Sequence, residues 1–232
     1  MIEAEWWDYD DTDELADAVA GDIGFIIESA IDARGNCVLA LAGGKTPLPI
    51  LKRLAEAKLD WKKVVIVPTD ERIVPLDDPL SNARMLASIF LPKGARVIPV
   101  ISEKAADYKL AGGAAASRYG DVHWPPDLVW LGLGEDGHTA SIFPGPDYDD
   151  ALNSPTRAIG VMPDPLPPEA PVARITMTRS ALTSAKALIV VFTGEQKAKV
   201  LEAALKDGDS SPYPIGRVLA GLETPIDIHW SK

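Results

Sequence analysis

Cysteine occurs once, at Cys37, so the chain can form no internal disulfide. That thiol sits in the apolar run NCVLALAG, where a small core residue is expected rather than a nucleophile. Long apolar runs are missing, and none reaches the length of a membrane span. The acidic amino terminus, MIEAEWWDYDDTDE, has no apolar signal core. Basic charge is in deficit: 23 Lys and Arg face 34 Asp and Glu, a formal net charge of −11. A field of that sign disfavours nucleic acid and anionic membrane as partners, so an anionic ligand would need a local cluster of Lys and Arg. Histidine is also scarce, with three residues, and no H-E-x-x-H or cysteine pair completes a metal site. The expectation is a soluble protein of a reducing, cytoplasmic compartment.

What is present is enough for a core: 232 residues, 47% of them hydrophobic. The apolar stretches are short and rich in Val, Ile and Leu, at 37–42, 63–68, 95–100, 127–134 and 186–194. They lack strict alternation, which points to strands covered on both faces. Helical patterns fall around 12–31, before the first of these strands, and then at 47–58, 80–90, 104–119 and 195–206. RAIGVMP and ARITMT read as two further strands joined by a Pro-rich surface loop (163–171), and IDIHW as a final strand. The pattern predicts an α/β protein with a Rossmann-like, mostly parallel sheet and helices on both faces. With no repeat and no long linker, residues 1–232 are expected to form one domain.

In such a sheet, ligands bind beyond the carboxyl ends of the strands, and the unusual residues lie there. After the first strand come Gly43, Gly44, Lys45, Thr46 and Pro47. This is either a tight turn into a helix capped by Thr46, or a cradle in which backbone N–H groups face a phosphate. GGKT is half of a P-loop, but the glycine that pattern needs is Leu39, which excludes nucleoside triphosphate binding on that motif. After the second strand come Asp70 and Arg72, then Ser81 and Asn82 at a helix start. Arg72 could clamp a phosphate and Asp70 could accept from sugar hydroxyls; the plainer alternative is a charged loop and an N-cap serine.

The fourth strand run leads into LGLGEDGHTASIFPG, where Gly132, Gly134 and Gly137 have the spacing of a dinucleotide-binding turn. The long helix such a turn must open is cut off by Pro144, Gly145 and Pro146, so the glycines are assigned to a turn. What the turn presents is Asp136 and His138: a general base with a carboxylate to fix its tautomer, or a polar cap on a short helix. His123 and His229 are expected to be structural.

LAGGKTP, TDERIVP with the following SN, GLGEDGHTASIFP, and RITMT followed by ALIVVFTGEQKAKVL resemble, in order, the motifs of the 6-phosphogluconolactonase family, over roughly residues 13–221. GEDGHTASIFP is the specific element. The family belongs to a larger group that includes glucosamine-6-phosphate deaminases and ribose-5-phosphate isomerases. The resemblance implies hydrolysis of 6-phospho-D-glucono-1,5-lactone to 6-phosphogluconate, in the oxidative pentose phosphate pathway. It also implies a small phosphosugar lactone as partner, and no metal or organic cofactor. It makes His138 the base that activates water and Asp136 the carboxylate that orients it. Gly43, Gly44, Thr46, Arg72 and Lys197 would hold the 6-phosphate, with Asp70 near the sugar. The usual family turn reads SGGSTP; here Ala42 and Lys45 replace the serines, and a cation at 45 suits a phosphate. Related deaminases carry a glutamate five residues after the histidine, where this chain has Phe143. An amino-sugar phosphate deaminase or isomerase is therefore the disfavoured alternative. A non-catalytic phosphosugar sensor is the other.

Overall fold

The computed structural model describes residues 2–101 and 107–232. In chain order the elements are β1 (Ala4–Tyr9), α1 (Thr12–Arg34), β2 (Cys37–Leu41), α2 (Pro47–Ala55), β3 (Val64–Pro68), β4 (Asp70–Arg72), α3 (Asn82–Phe90), β5 (Arg96–Val97) and α4 (Tyr108–Gly120). They continue with β6 (Leu128–Leu131), α5 (Tyr148–Asn153), β7 (Ala158–Val161), β8 (Arg174–Met177), α6 (Arg179–Leu182), β9 (Ala187–Thr193), α7 (Glu195–Asp207), α8 (Pro214–Leu219) and β10 (Ile226–Ser231). Of the helix expected over 104–119, residues 104–106 lie outside the described residues.

The main sheet has seven strands in the order β1-β10-β9-β6-β2-β3-β5, and every neighbouring pair is parallel. Alternation along β2 divides the core. Cys37, Leu39 and Leu41 pack with α1, α2 and α3, while Val38 and Ala40 pack on the opposite face with α4, α7 and α8. Both sets are buried, which explains why the strand reads as one apolar run. Burial also pushes the Cys37 thiol up to about 12, as befits a core residue. α1 shows how local sequence sets an element. Asp11 accepts from the N–H groups of Asp13 and Glu14, both at 2.9 Å. Leu15, Val19, Ile23 and Ile27 recur at helical spacing and are buried. Gly35 ends the helix in the left-handed region, at φ 79°. No helix among the described residues is long and apolar enough to cross a membrane.

The structure departs from expectation at several points. An additional strand, β1, precedes α1 and forms one edge of the sheet, beside the last strand of the chain. The strand expected at 95–100 is reduced to Arg96 and Val97. β7 and β8 do not join the main sheet. They form a separate antiparallel sheet with β4, in the order β4-β8-β7. The Pro-rich segment is the connection between β7 and β8, as expected.

Candidate active site

The main sheet changes direction of growth between β2 and β6. From β2 it extends through β3 and β5; from β6 it extends through β9, β10 and β1. The crevice at such a switch point is where an open α/β sheet binds ligands. A cavity of about 630 Å³ lies there, and its lining includes Gly43, Gly44, Lys45, Thr46, Asp70, Arg72, His138 and Lys197. These residues follow the carboxyl ends of β2, β3, β6 and β9, which are four adjacent strands. Of the catalytic and substrate-binding candidates drawn from the sequence, Asp136 alone lies outside the lining, and it reaches the site through His138.

The turn after β6 is held by hydrogen bonds from Gly134 N to His138 O at 2.9 Å and from Gly137 N to Gly134 O at 3.1 Å. Gly137 is left-handed at φ 79°, and a Cβ there would overlap the Tyr213 side chain. A Cβ on Gly134 would overlap His138 Nδ1 and its neighbour Cε1. The glycine spacing therefore serves a tight turn that folds a histidine back over itself, and no helix follows until α5. Asp136 Oδ1 lies 2.5 Å from His138 Nδ1 and also accepts the His138 backbone N–H at 3.1 Å. Partial burial raises the Asp136 carboxyl, but the hydrogen bonds and charge of His138 outweigh it, and the net position is below the ordinary carboxylate value. Asp136 is then ionised at neutral pH and only accepts. The proton shared by the pair belongs to Nδ1, and Nε2 is left as the acceptor.

The same cavity is lined by cations. Among the described residues, Lys45, Arg72 and Lys197 have no carboxylate within ion-pair distance. Arg174, which was not singled out in the sequence, joins them in the lining. It stands directly opposite Arg72 in the β4–β8 register. Two arginines in that relation repel each other. Arg174 is 3% exposed. Burial is the main cause that lowers its pKa, with the Arg72 charge adding to it and Asp70 opposing. Its Nη2 donates to Ala170 O at 3.1 Å and lies 3.7 Å from Glu169. Arg72 spends Nη1 on Leu80 O at 2.9 Å. The Nε atoms of both arginines are buried without a hydrogen-bond partner. An anion bound in the cavity beside the two guanidinium groups would offset their repulsion. Arg174 was missed because ARITMT reads as an ordinary strand; only its antiparallel pairing with β4 brings it to the site.

One expectation about the turns is corrected. Thr46 does not cap α2 with its side chain; its backbone is already helical, at φ −64°. Pro47 and Pro49 have no N–H, so this helix start supplies fewer amide donors than its position suggests. Gly43 is small for a packing reason, since a Cβ there would overlap the Asn82 side chain. Ser81 is an N-cap as expected, accepting from Arg84 N at 3.1 Å. The buried carboxylate of Glu71 reinforces it, taking N–H bonds from Asn82 and Ala83, both at 2.7 Å. Asn82 in turn donates to the Asp70 carbonyl at 2.8 Å, and Ser141 Oγ donates to Asp70 Oδ2 at 2.5 Å. Asp70 is thus fixed at the cavity wall. His229 is buried and structural, with Nδ1 3.0 Å from Tyr9 Oη. Among the described residues, no group of three or more His, Cys, Asp or Glu is placed to hold a metal ion.

Parallel strands, a switch-point crevice, a carboxylate-oriented histidine and a set of cations in the same lining define an α/β protein with a site suited to a small anionic molecule. The profile of the glucosamine-6-phosphate isomerase/6-phosphogluconolactonase family matches residues 10–229, and the chain belongs to that family. It is 36% identical over 229 residues to 6-phosphogluconolactonase of Rhizobium meliloti, covering 96% of this chain and 97% of that one. It is likewise 36% identical over 224 residues to 6-phosphogluconolactonase of Pseudomonas putida, covering 95% and 90%. The crystal structure of a 6-phosphogluconolactonase from Shewanella baltica superposes with a TM-score of 0.90 at 32% identity, covering 99% of this chain and 98% of that one.

Proposed function

We propose that this chain hydrolyses 6-phospho-D-glucono-1,5-lactone to 6-phosphogluconate, the lactone-opening step of the oxidative pentose phosphate pathway. Residues 1–232 would act as one domain, since the cavity lining runs from Ala42 to Lys197. The observation that carries this reading is the presence, in one cavity, of the Asp136–His138 couple and of cations that lack carboxylate partners. His138 Nε2 takes a proton from water, and the oxygen attacks the lactone carbonyl carbon. The carbonyl electrons move to oxygen as the tetrahedral intermediate forms. Its collapse breaks the bond to the ring oxygen, which takes the proton from the imidazolium and becomes the 5-hydroxyl. Asp136 holds the tautomer and stabilises the imidazolium between these steps. Arg72, Arg174, Lys197 and Lys45 hold the phosphate, with the Gly43–Gly44 turn and Thr46 beside them. Asp70 faces the sugar hydroxyls.

Phe143 occupies the position at which related deaminases carry a glutamate, and its ring stacks on His138 instead. A lactonase needs one proton carrier at this point, and His138 supplies it. The direct test is hydrolysis of freshly generated 6-phosphogluconolactone, coupled to oxidation of the product and corrected for spontaneous opening. Turnover well above the uncatalysed rate is expected. A protein that binds 6-phosphogluconate but does not accelerate hydrolysis would be a sensor, and the reading would fail.

A further inference from the structure

On the lactonase reading above, we propose that Phe143 is a positioning residue for the His138 imidazole. Phe143 belongs to neither of the two hydrophobic cores, although it follows Ile142, which is fully buried in one of them. Ile142 is itself anchored, its N–H donating to Thr139 O at 3.0 Å. The phenyl ring is thus held at the end of a fixed backbone; it borders a small cavity with Ala151, Val161 and Met162, and its aromatic and cationic partners are His138 and Arg174 of the site. Its centroid is 4.2 Å from that of His138, with 29° between the planes. The Arg174 guanidinium carbon is 5.4 Å from the same centroid.

The contact supplies what the Asp136 hydrogen bond cannot. A bond at Nδ1 fixes one atom of the imidazole and leaves the plane free to swing about it. Gly134 closes in on the Nδ1–Cε1 edge, and the phenyl face restricts the remaining rotation. With the plane set, Nε2 keeps one direction on a residue that lines the cavity before substrate arrives, which is what general-base catalysis needs. The aromatic face also favours the imidazolium over the neutral ring once the proton has been taken, by attraction of a cation to the ring quadrupole. An aliphatic side chain of similar bulk would fill the space without either the flat face or the quadrupole.

Phe143→Leu and Phe143→Tyr, compared with the wild type, test this. For the leucine variant, kcat for the phosphorylated lactone should fall about tenfold while KM changes less than about threefold, because Lys45, Arg72 and Lys197 are untouched and Arg174, although it loses the ring beside it, keeps its hydrogen bond to Ala170 O. The tyrosine variant should retain kcat within about twofold, since it keeps the face. Both should unfold at the wild-type temperature, as the ring lies outside the cores. Proton spectra without substrate give a second readout: the His138 ring protons should lie upfield in the wild type and tyrosine variant, and move downfield in the leucine variant as the ring current is lost. Unchanged His138 shifts, or an unchanged kcat in an active Phe143→Leu enzyme, would overturn the positioning role. So would equal kcat losses in both variants with lowered unfolding temperatures. A wild type that shows the ring-current shift but no lactone turnover would overturn the lactonase reading and leave the ring contact standing.

Discussion

At the scale of single residues, the proposed mechanism divides the site into a proton carrier and an anion holder, and the two should fail differently when altered. Asp136 is proposed to contribute only through His138, to which it is hydrogen-bonded, by fixing which nitrogen carries the proton and by opposing the charge that develops. Asp136→Asn should therefore fold normally and lose about 10²-fold or more in kcat, with 6-phosphogluconate affinity little changed. Steady-state kinetics beside calorimetric titration would show it, and a fully active variant would remove the assigned role. Arg72 and Lys197 are expected to act on the far end of the substrate. Replacing either by Ala should raise KM strongly for the phosphorylated lactone and do much less to unphosphorylated gluconolactone, because the lost contact is remote from the carbonyl. Equal losses on both substrates would make these cations structural. Most of the candidate site residues that line the cavity were legible in the sequence, since they sit in short turns directly after apolar strand runs. Arg174 was not: its relevance comes from standing opposite Arg72 across a strand pair, and long-range pairing leaves no local mark.

At the scale of elements, the close approach of α4 to β7 fixes the small sheet that carries Arg72 and Arg174 over the site. A Cβ on Gly112 would overlap the backbone of Ile159 and Gly160, whereas Gly113, one residue on, faces open space. The two positions form an internal control. Gly112→Ala should destabilise the protein by about 2–3 kcal/mol through forced backbone shifts. Gly113→Ala should be neutral or stabilise it by about 0.5–1 kcal/mol, through helix propensity and a less free unfolded chain. Denaturant unfolding of the pair would settle whether this contact is as tight as described; similar stabilities would contradict it. The central strands were readable because both faces are buried and the runs are uninterrupted. β1 was not, because AEWWDY lies at the edge and mixes exposed acids with half-buried Ala4, Trp6 and Tyr9. β7 and β8 were readable as strands but not as a separate sheet, since which strands pair is decided by packing of distant segments.

At the scale of the whole molecule, the net charge of −11 opposes an anionic substrate until it nears the cavity, where the sign of the local charge reverses. Lys45 is exposed at the mouth of that cavity, before a helix whose dipole disfavours a cation there unless an anion is bound. Lys45→Ser should therefore leave the unliganded fold unchanged or slightly more stable, and weaken 6-phosphogluconate binding by about fivefold at low salt. The difference should narrow as ionic strength rises. Titration calorimetry at two salt concentrations would check it, and equal affinities at low salt would place Lys45 away from the phosphate. The larger claim is that one histidine, oriented by one carboxylate at the switch point of the sheet, carries the chemistry. The measurement that meets it most directly is the lactonase kcat of folded His138→Ala beside its affinity for 6-phosphogluconate. The account predicts that kcat falls by about 10² or more while binding is retained, because the phosphate holders are intact. A His138→Ala protein that opens the phosphorylated lactone at the wild-type rate would contradict it.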